Sequence, residues 1–214
     1  MKLIHKSKAF QSLCKGTNNI NAISMYQKKH KPANIYLIIG ASGSGKTTVA
    51  EIISERYGLT ILPSYTTRPK RKETDVDHIY ISVDEYIELP NKVATNCTNN
   101  NFYCATKEQV DNNDLYVIDH SGLKMMRECY LGAKKCISIF IDLDTDTRIE
   151  RMKLRGDNKI NIAARLSNDF LEFDGCKEIC DYVVDGLVSK EVVVSQIWNI
   201  ICENEKWDEI YGKE

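Results

Sequence analysis

No run of about 18 apolar residues occurs in the 214-residue sequence, which excludes a membrane-spanning helix of ordinary length. Net charge is nearly absent too. Lys and Arg total 29 against 30 Asp and Glu, a balance of -1 and a pI near 6.4, so bulk electrostatics give no reason to expect a nucleic-acid partner. The eight cysteines (Cys14, Cys97, Cys104, Cys129, Cys136, Cys176, Cys180 and Cys202) contain no C-x-x-C pair and match no zinc spacing. Cys176 and Cys180 lie four apart and read as small core hydrophobes. The opening residues lack the apolar core and cleavage site of a secretory signal. Reduced thiols and a cytoplasmic location are therefore expected. Acids and Arg are missing from Met1 to Ala33, where seven Lys occur. Residues 1–33 are expected to form a basic, mobile tail. No internal repeat and no long linker is found.

What is present is the composition of a globular protein: 43% hydrophobic and 28% charged residues, enough chain for one domain with a small insertion. Ile35-Tyr36-Leu37-Ile38-Ile39 is a continuous apolar run ending at Gly40, the pattern of a strand buried on both faces. Helical spacing from Thr48 to Tyr57 stops at Gly58. Short strands are expected at 60–62, 78–82, 115–118, 136–141 and 182–184. Helices are expected at 83–89, around Leu123 to Tyr130, and at 145–154, 160–170 and 192–201. Alternating β and α units predict an α/β fold, a parallel sheet with helices on both faces. The domain is expected over 34–204, with 205–214 as a C-terminal tail.

Gly40-Ala41-Ser42-Gly43-Ser44-Gly45-Lys46-Thr47 fits the phosphate-binding pattern G-x-x-x-x-G-K-S/T in full, and Thr48 follows it. Glycines let successive backbone N–H groups converge on one phosphate, and the following helix adds its positive end. Lys46 would reach the β- and γ-phosphates, its side chain facing solvent when no ligand is bound. The Thr47 hydroxyl would ligate Mg²⁺. A second cluster, Ser64-Tyr65-Thr66-Thr67-Arg68-Pro69-Lys70-Arg71, offers two arginines and several hydroxyls as an anion clamp. A solvated basic turn fits the same residues. In a third cluster, Arg148, Arg151 and Arg155 share a helix face and Arg165 follows. They read either as a surface stripe paired with Glu150 and Asp146 or as a lid over the transferring phosphoryl group.

The order of the P-loop, Ser-x-Thr-Thr-Arg-x-x-Arg, Asp77 to Tyr86, Phe102-Tyr103-Cys104-Ala105-Thr106 and Arg151-x-x-x-Arg155-Gly resembles the guanylate kinase family from about Ile35 to Ile201. The resemblance implies a P-loop core, a small mixed-β subdomain for the acceptor (63–106) and an arginine lid (151–170). It implies the reaction ATP + GMP giving ADP + GDP with Mg²⁺. It further implies small-molecule nucleotides as partners, with neither nucleic acid nor membrane, in a monomer or homodimer. By the same resemblance Ser64, Arg68, Arg71 and Tyr103 match acceptor-phosphate contacts, and Asp119 an acid of the acceptor pocket. An N-cap is the local alternative for Asp119. Lys46, Arg151, Arg155 and Arg165 match catalytic groups. The chain departs from the family at three places. His78 replaces a tyrosine on the acceptor phosphate, Ala94 or nearby Asn96 stands where the family has a guanine-reading glutamate, and Ala105 replaces a second guanine-reading hydroxyl. Asn96, Thr106 and Asp119 are the remaining polar groups nearby. Asp77-His78-Ile79 also resembles the kinase of ribose 1,5-bisphosphate, which reads no base. A third possibility, a protein-binding module of guanylate kinase type, conflicts with the complete P-loop and the retained lid arginines.

Overall fold

A computed structural model describes residues 31–70, 73, 77–98 and 100–207. The expected basic tail therefore lies outside the described residues except for Lys31 to Ala33. Five-residue β1 (Ile35–Ile39) is fully buried and sits at the centre of a parallel sheet in the order β6-β1-β7-β8, with β6 at Leu115–Val117, β7 at Cys136–Asp142 and β8 at Tyr182–Asp185. Alternation splits its side chains between two cores. Tyr36 and Ile38 pack with Val49 and Ile53 of α1 (Lys46–Tyr57) and with Val194, Ile197 and Trp198 of α8 (Lys190–Glu205). Ile35, Leu37 and Ile39 face the other way, towards Leu123 and Met126 of α4 (His120–Cys129) and towards a second sheet.

That second sheet is mixed, in the order β3-β2-β5-β4, with β2 at Ser64–Thr66, β3 at His78–Tyr80, β4 at Lys92–Thr98 and β5 at Asn101–Thr106. Two short helices flank it, α2 (Val83–Glu88) and α3 (Lys107–Asn112). Both begin with reciprocal capping boxes, Ser82 with Glu85 and Thr106 with Gln109. Val93 and Ala105 carry this sheet into the second core. The expected strand at 60–62 is reduced to one bridge, Ile61 to Leu115, because Pro63 follows and the chain crosses to the second sheet at Ser64.

After β7 come α5 (Thr145–Leu154), α6 (Lys159–Glu172) and the single turn α7 (Cys176–Ile179). Cys176 is fully buried and Cys180 is packed beside it, as expected of core thiols. The expected domain end at 204 falls inside α8. Glu205 accepts hydrogen bonds from the Ala33 and Asn34 backbone and from the Tyr36 hydroxyl, and Trp207 is buried beside Trp198. Packing therefore continues through the first residues assigned to the C-terminal tail.

Candidate active site

The P-loop runs from the end of β1 into α1. Gly40 (φ 152°) and Gly43 (φ 81°) are required by space as well as by conformation. A Cβ on Gly40 would sit 2.9 Å from the Ile141 carbonyl oxygen, and one on Gly43 would sit 2.8 Å from the Arg148 carbonyl oxygen. Gly45 precedes α1 with no side-chain cap, so the first-turn N–H groups are left for a ligand.

Lys46 does not face solvent as expected. Its half-buried ammonium folds back onto the loop, donating to the carbonyls of Gly40 and Ala41 at 2.5 and 3.1 Å. Those carbonyls satisfy a cation that burial would otherwise strand. Burial lowers its pKa to about 8. Arg148 and Arg165 act in the same direction, and the carboxylates of Asp169 and Asp119 oppose it.

Arg148 and Arg151 of α5 and Arg155 at its C-cap differ in environment. Arg148 is buried and belongs to no lid. Its guanidinium meets Asp169 of α6 at 2.7 Å and touches the Ser42 carbonyl and the Thr145 hydroxyl. Arg151 reaches the P-loop, donating to the Ser44 carbonyl at 3.3 Å and to the Gly186 carbonyl at 3.0 Å. Arg155 is exposed and paired with Asp157, which Arg165 also approaches at 3.6 Å. The alternative stripe pairing to Glu150 is not made, because Glu150 bonds Lys153 instead.

On the acceptor side, parallel pairing of β2 with β3 sets Ser64 opposite His78, and Ser64 Oγ lies 2.8 Å from His78 Nδ1. The His78 ring meets Tyr103 of β5 edge-on at 5.8 Å. Arg68 donates to the Tyr80 hydroxyl at 3.0 Å and lies over its ring. Arg71 lies outside the described residues. Asp119 takes the local role read for it, that of an N-cap. It caps α4, accepting from Gly122 N–H at 2.7 Å, and its second oxygen accepts from the Asn96 side-chain amide. Burial raises its pKa, with Glu172 adding to the effect. Thr106 is committed as the cap of α3, and Ala94 and Ala105 are buried at 3% and 0% exposure.

A cavity of about 280 Å³ joins the two halves. Thr47, Ala50 and Glu51 of α1 line it together with Ser64, Asp77, His78 and Val117. One concave space thus touches both the end of the P-loop and the acceptor-side strands, as a transfer between two bound phosphates requires.

A family profile described as an AAA domain matches residues 37–173, which include the P-loop and α5 and α6 up to Phe173. The chain belongs to the AAA domain family. Curated relatives include a guanylate kinase of Helicobacter pylori, 29% identical over 183 residues, covering 78% of this chain and 87% of that protein. Another is a guanylate kinase of Fusobacterium nucleatum, 27% identical over 154 residues, covering 65% and 81%. The crystal structure of guanylate kinase from Anaplasma phagocytophilum shares the fold, with a TM-score of 0.55 at 21% identity over 82% of this chain and 88% of that one. The curated relatives bear out the resemblance to guanylate kinases and the reading of this AAA-domain chain as a guanylate kinase-like phosphotransferase, and the solved structure bears out the α/β fold.

Asp169 was not singled out from the sequence. A signal was available: Ile162, Arg165 and Asp169 recur at helical spacing, and an acid on the stripe that buries Ile162 demands a partner.

Proposed function

We propose that the chain transfers the γ-phosphoryl group of ATP to GMP, giving ADP and GDP, in the cytoplasm. The observation that carries this reading is the cavity shared by Thr47, Ser64 and His78. ATP phosphates would rest on the N–H groups of the P-loop and the first turn of α1. Lys46 would leave the Gly40 and Ala41 carbonyls for the β- and γ-phosphates. The hydroxyl of Thr47 and the oxygens of the substrate phosphates suit Mg²⁺, a hard cation that takes oxygen ligands. When bound there, Mg²⁺ neutralises phosphate charge. The acceptor phosphate would sit on Ser64, Arg68, Arg71, His78 and Tyr103.

An oxygen of the acceptor phosphate attacks the γ-phosphorus while the bond to the bridging β,γ-oxygen breaks, and the charge leaves on ADP. The attacking oxygen is already anionic, so no strong general base is needed. Catalysis is alignment and charge neutralisation. Arg151 is already on the loop. Arg155 and Arg165 would exchange Asp157 for the transferring group as the lid closes.

A second reading has its own observation. His78 hydrogen-bonded to Ser64, beside positions 94 and 105 that carry no polar side chain, suits an acceptor held by phosphate and sugar alone, such as ribose 1,5-bisphosphate. A coupled ADP-release assay with ATP against GMP, dGMP, AMP, UMP, CMP and ribose 1,5-bisphosphate separates the two. GMP as the best acceptor supports the first reading, and ribose 1,5-bisphosphate as the best acceptor replaces it with the second.

A further inference from the structure

One stripe of α6 touches the parts of the molecule that carry both substrates. Arg165, Asp169 and Glu172 lie four and three residues apart and so share a helix face. Asp169 reaches the P-loop, where its carboxylate accepts from Ser42 N–H at 2.9 Å and from Ser42 Oγ at 3.0 Å, with the Arg148 guanidinium at 2.7 Å. One turn further along, Glu172 reaches the start of α4. Its carboxylate accepts from Ser121 N–H at 2.5 Å and from Ser121 Oγ at 2.9 Å, and its backbone carbonyl faces His120 Nδ1 at 2.5 Å. Ser121 is two residues from Asp119, the acid on the acceptor side. Each carboxylate holds a backbone N–H and a hydroxyl of one serine, the same two-point grip used twice.

We infer that Asp169 and Glu172 are a pair of positioning residues, and that α6 is a strut holding the phosphate loop and the acceptor-side helix in register for in-line transfer. The inference rests on the phosphoryl-transfer reading above. Two-point grips fix rotation as well as distance, and charge-assisted bonds of this kind are the strong ones. The span between the grips is one helical turn, so each substrate carrier is held to the same helix by its own grip. Because Arg165 is on the same face, the strut also sets where one lid arginine starts. Small misplacements of reacting groups are expensive in rate, which is the reason for a rigid connection between two half-sites.

The test is steady-state kinetics on the full chain, varying ATP and acceptor separately, for Asp169→Asn, Glu172→Gln and the double variant. Asp169→Asn should raise the KM for ATP about tenfold and leave the acceptor KM within about twofold, since a charged hydrogen bond is lost on one side only. Glu172→Gln should do the reverse. Both should lower kcat, and in the double variant the kcat losses should be less than multiplicative because one strut is already broken. Ser42→Ala and Ser121→Ala remove single bonds from each grip without stranding a buried charge. They keep the test available should Asp169→Asn, which leaves Arg148 without its ion pair, fail to fold. Melting temperatures that fall with neither KM nor kcat changed would overturn the inference, as would equal shifts in both KM values. Wild-type protein that transfers phosphate to no acceptor would instead defeat the proposed function.

Discussion

At the scale of single residues, Lys46 is the most exacting position. Its ammonium is held on two loop carbonyls, so Lys46→Ala removes a cation without opening a core cavity. Turnover should fall at least about a hundredfold, the usual size of such electrostatic losses, with the melting temperature little changed. Near-normal turnover would remove Lys46 from the mechanism. Arg68 divides the substrates in a different way. Its guanidinium lies by Tyr80 of the second sheet, so Arg68→Ala should raise the acceptor KM by about tenfold or more and leave ATP affinity unchanged. An equal loss in ATP affinity, measured by direct nucleotide titration, would show that the clamp is misassigned. Residue types at these positions were legible because phosphate chemistry restricts them so tightly. Local pairings were not. Arg148, Arg151 and Arg155 are alike in sequence spacing. Asp169 for Arg148, and Ser44 and Gly186 for Arg151, come from distant segments, whereas exposed Arg155 pairs with Asp157 only two residues on.

Among the elements, those with a strong local signal matched expectation closely. α5 occupies the expected 145–154, and β1 follows its apolar run to the residue. Elements set by partners elsewhere did not. The strand expected at 60–62 is nearly absent, since its ladder would have to continue past Pro63 and the chain instead joins the second sheet. Helix α3 was not anticipated, although Thr106 and Gln109 form a capping box readable from spacing alone. For α5 a pH dependence follows. Asp144 caps it through Thr147 N–H and the Thr147 hydroxyl, and the backbone bond leads in holding its pKa below the ordinary value. A depressed carboxylate stabilises the fold fully above its unfolded pKa, about 3.9, and that contribution is lost as pH falls through the folded value. The melting-temperature difference between wild type and Asp144→Ala should be constant above about pH 5 and shrink at lower pH. A difference that stays constant to pH 2 would show that the charge on the cap is irrelevant.

For the molecule as a whole, the arrangement that matters is the meeting of two sheets at one cavity. The parallel sheet delivers the P-loop at the end of β1, as its apolar pattern and glycines foretell. The mixed sheet delivers Ser64, His78 and Tyr103, brought together by a parallel pair and an antiparallel pair that no local pattern specifies. Base recognition belongs to this scale, because the pocket must be assembled from several elements. Ala94 and Ala105 are buried in the core, and Thr106 is occupied as a cap. Under the proposed function, polar contacts to a base edge would fall to Asn96 and Asp119, which hold one another. A site with a few such contacts still rejects a mismatched base, because its buried polar groups would be left unpaired. The most direct measurement is the ratio of kcat/KM for GMP over AMP, taken beside kcat/KM for ribose 1,5-bisphosphate. The account predicts that GMP exceeds AMP by more than the roughly 10–200-fold that shape alone supplies, and that it exceeds ribose 1,5-bisphosphate as well. A GMP to AMP ratio near one, or ribose 1,5-bisphosphate as the best acceptor, would contradict it.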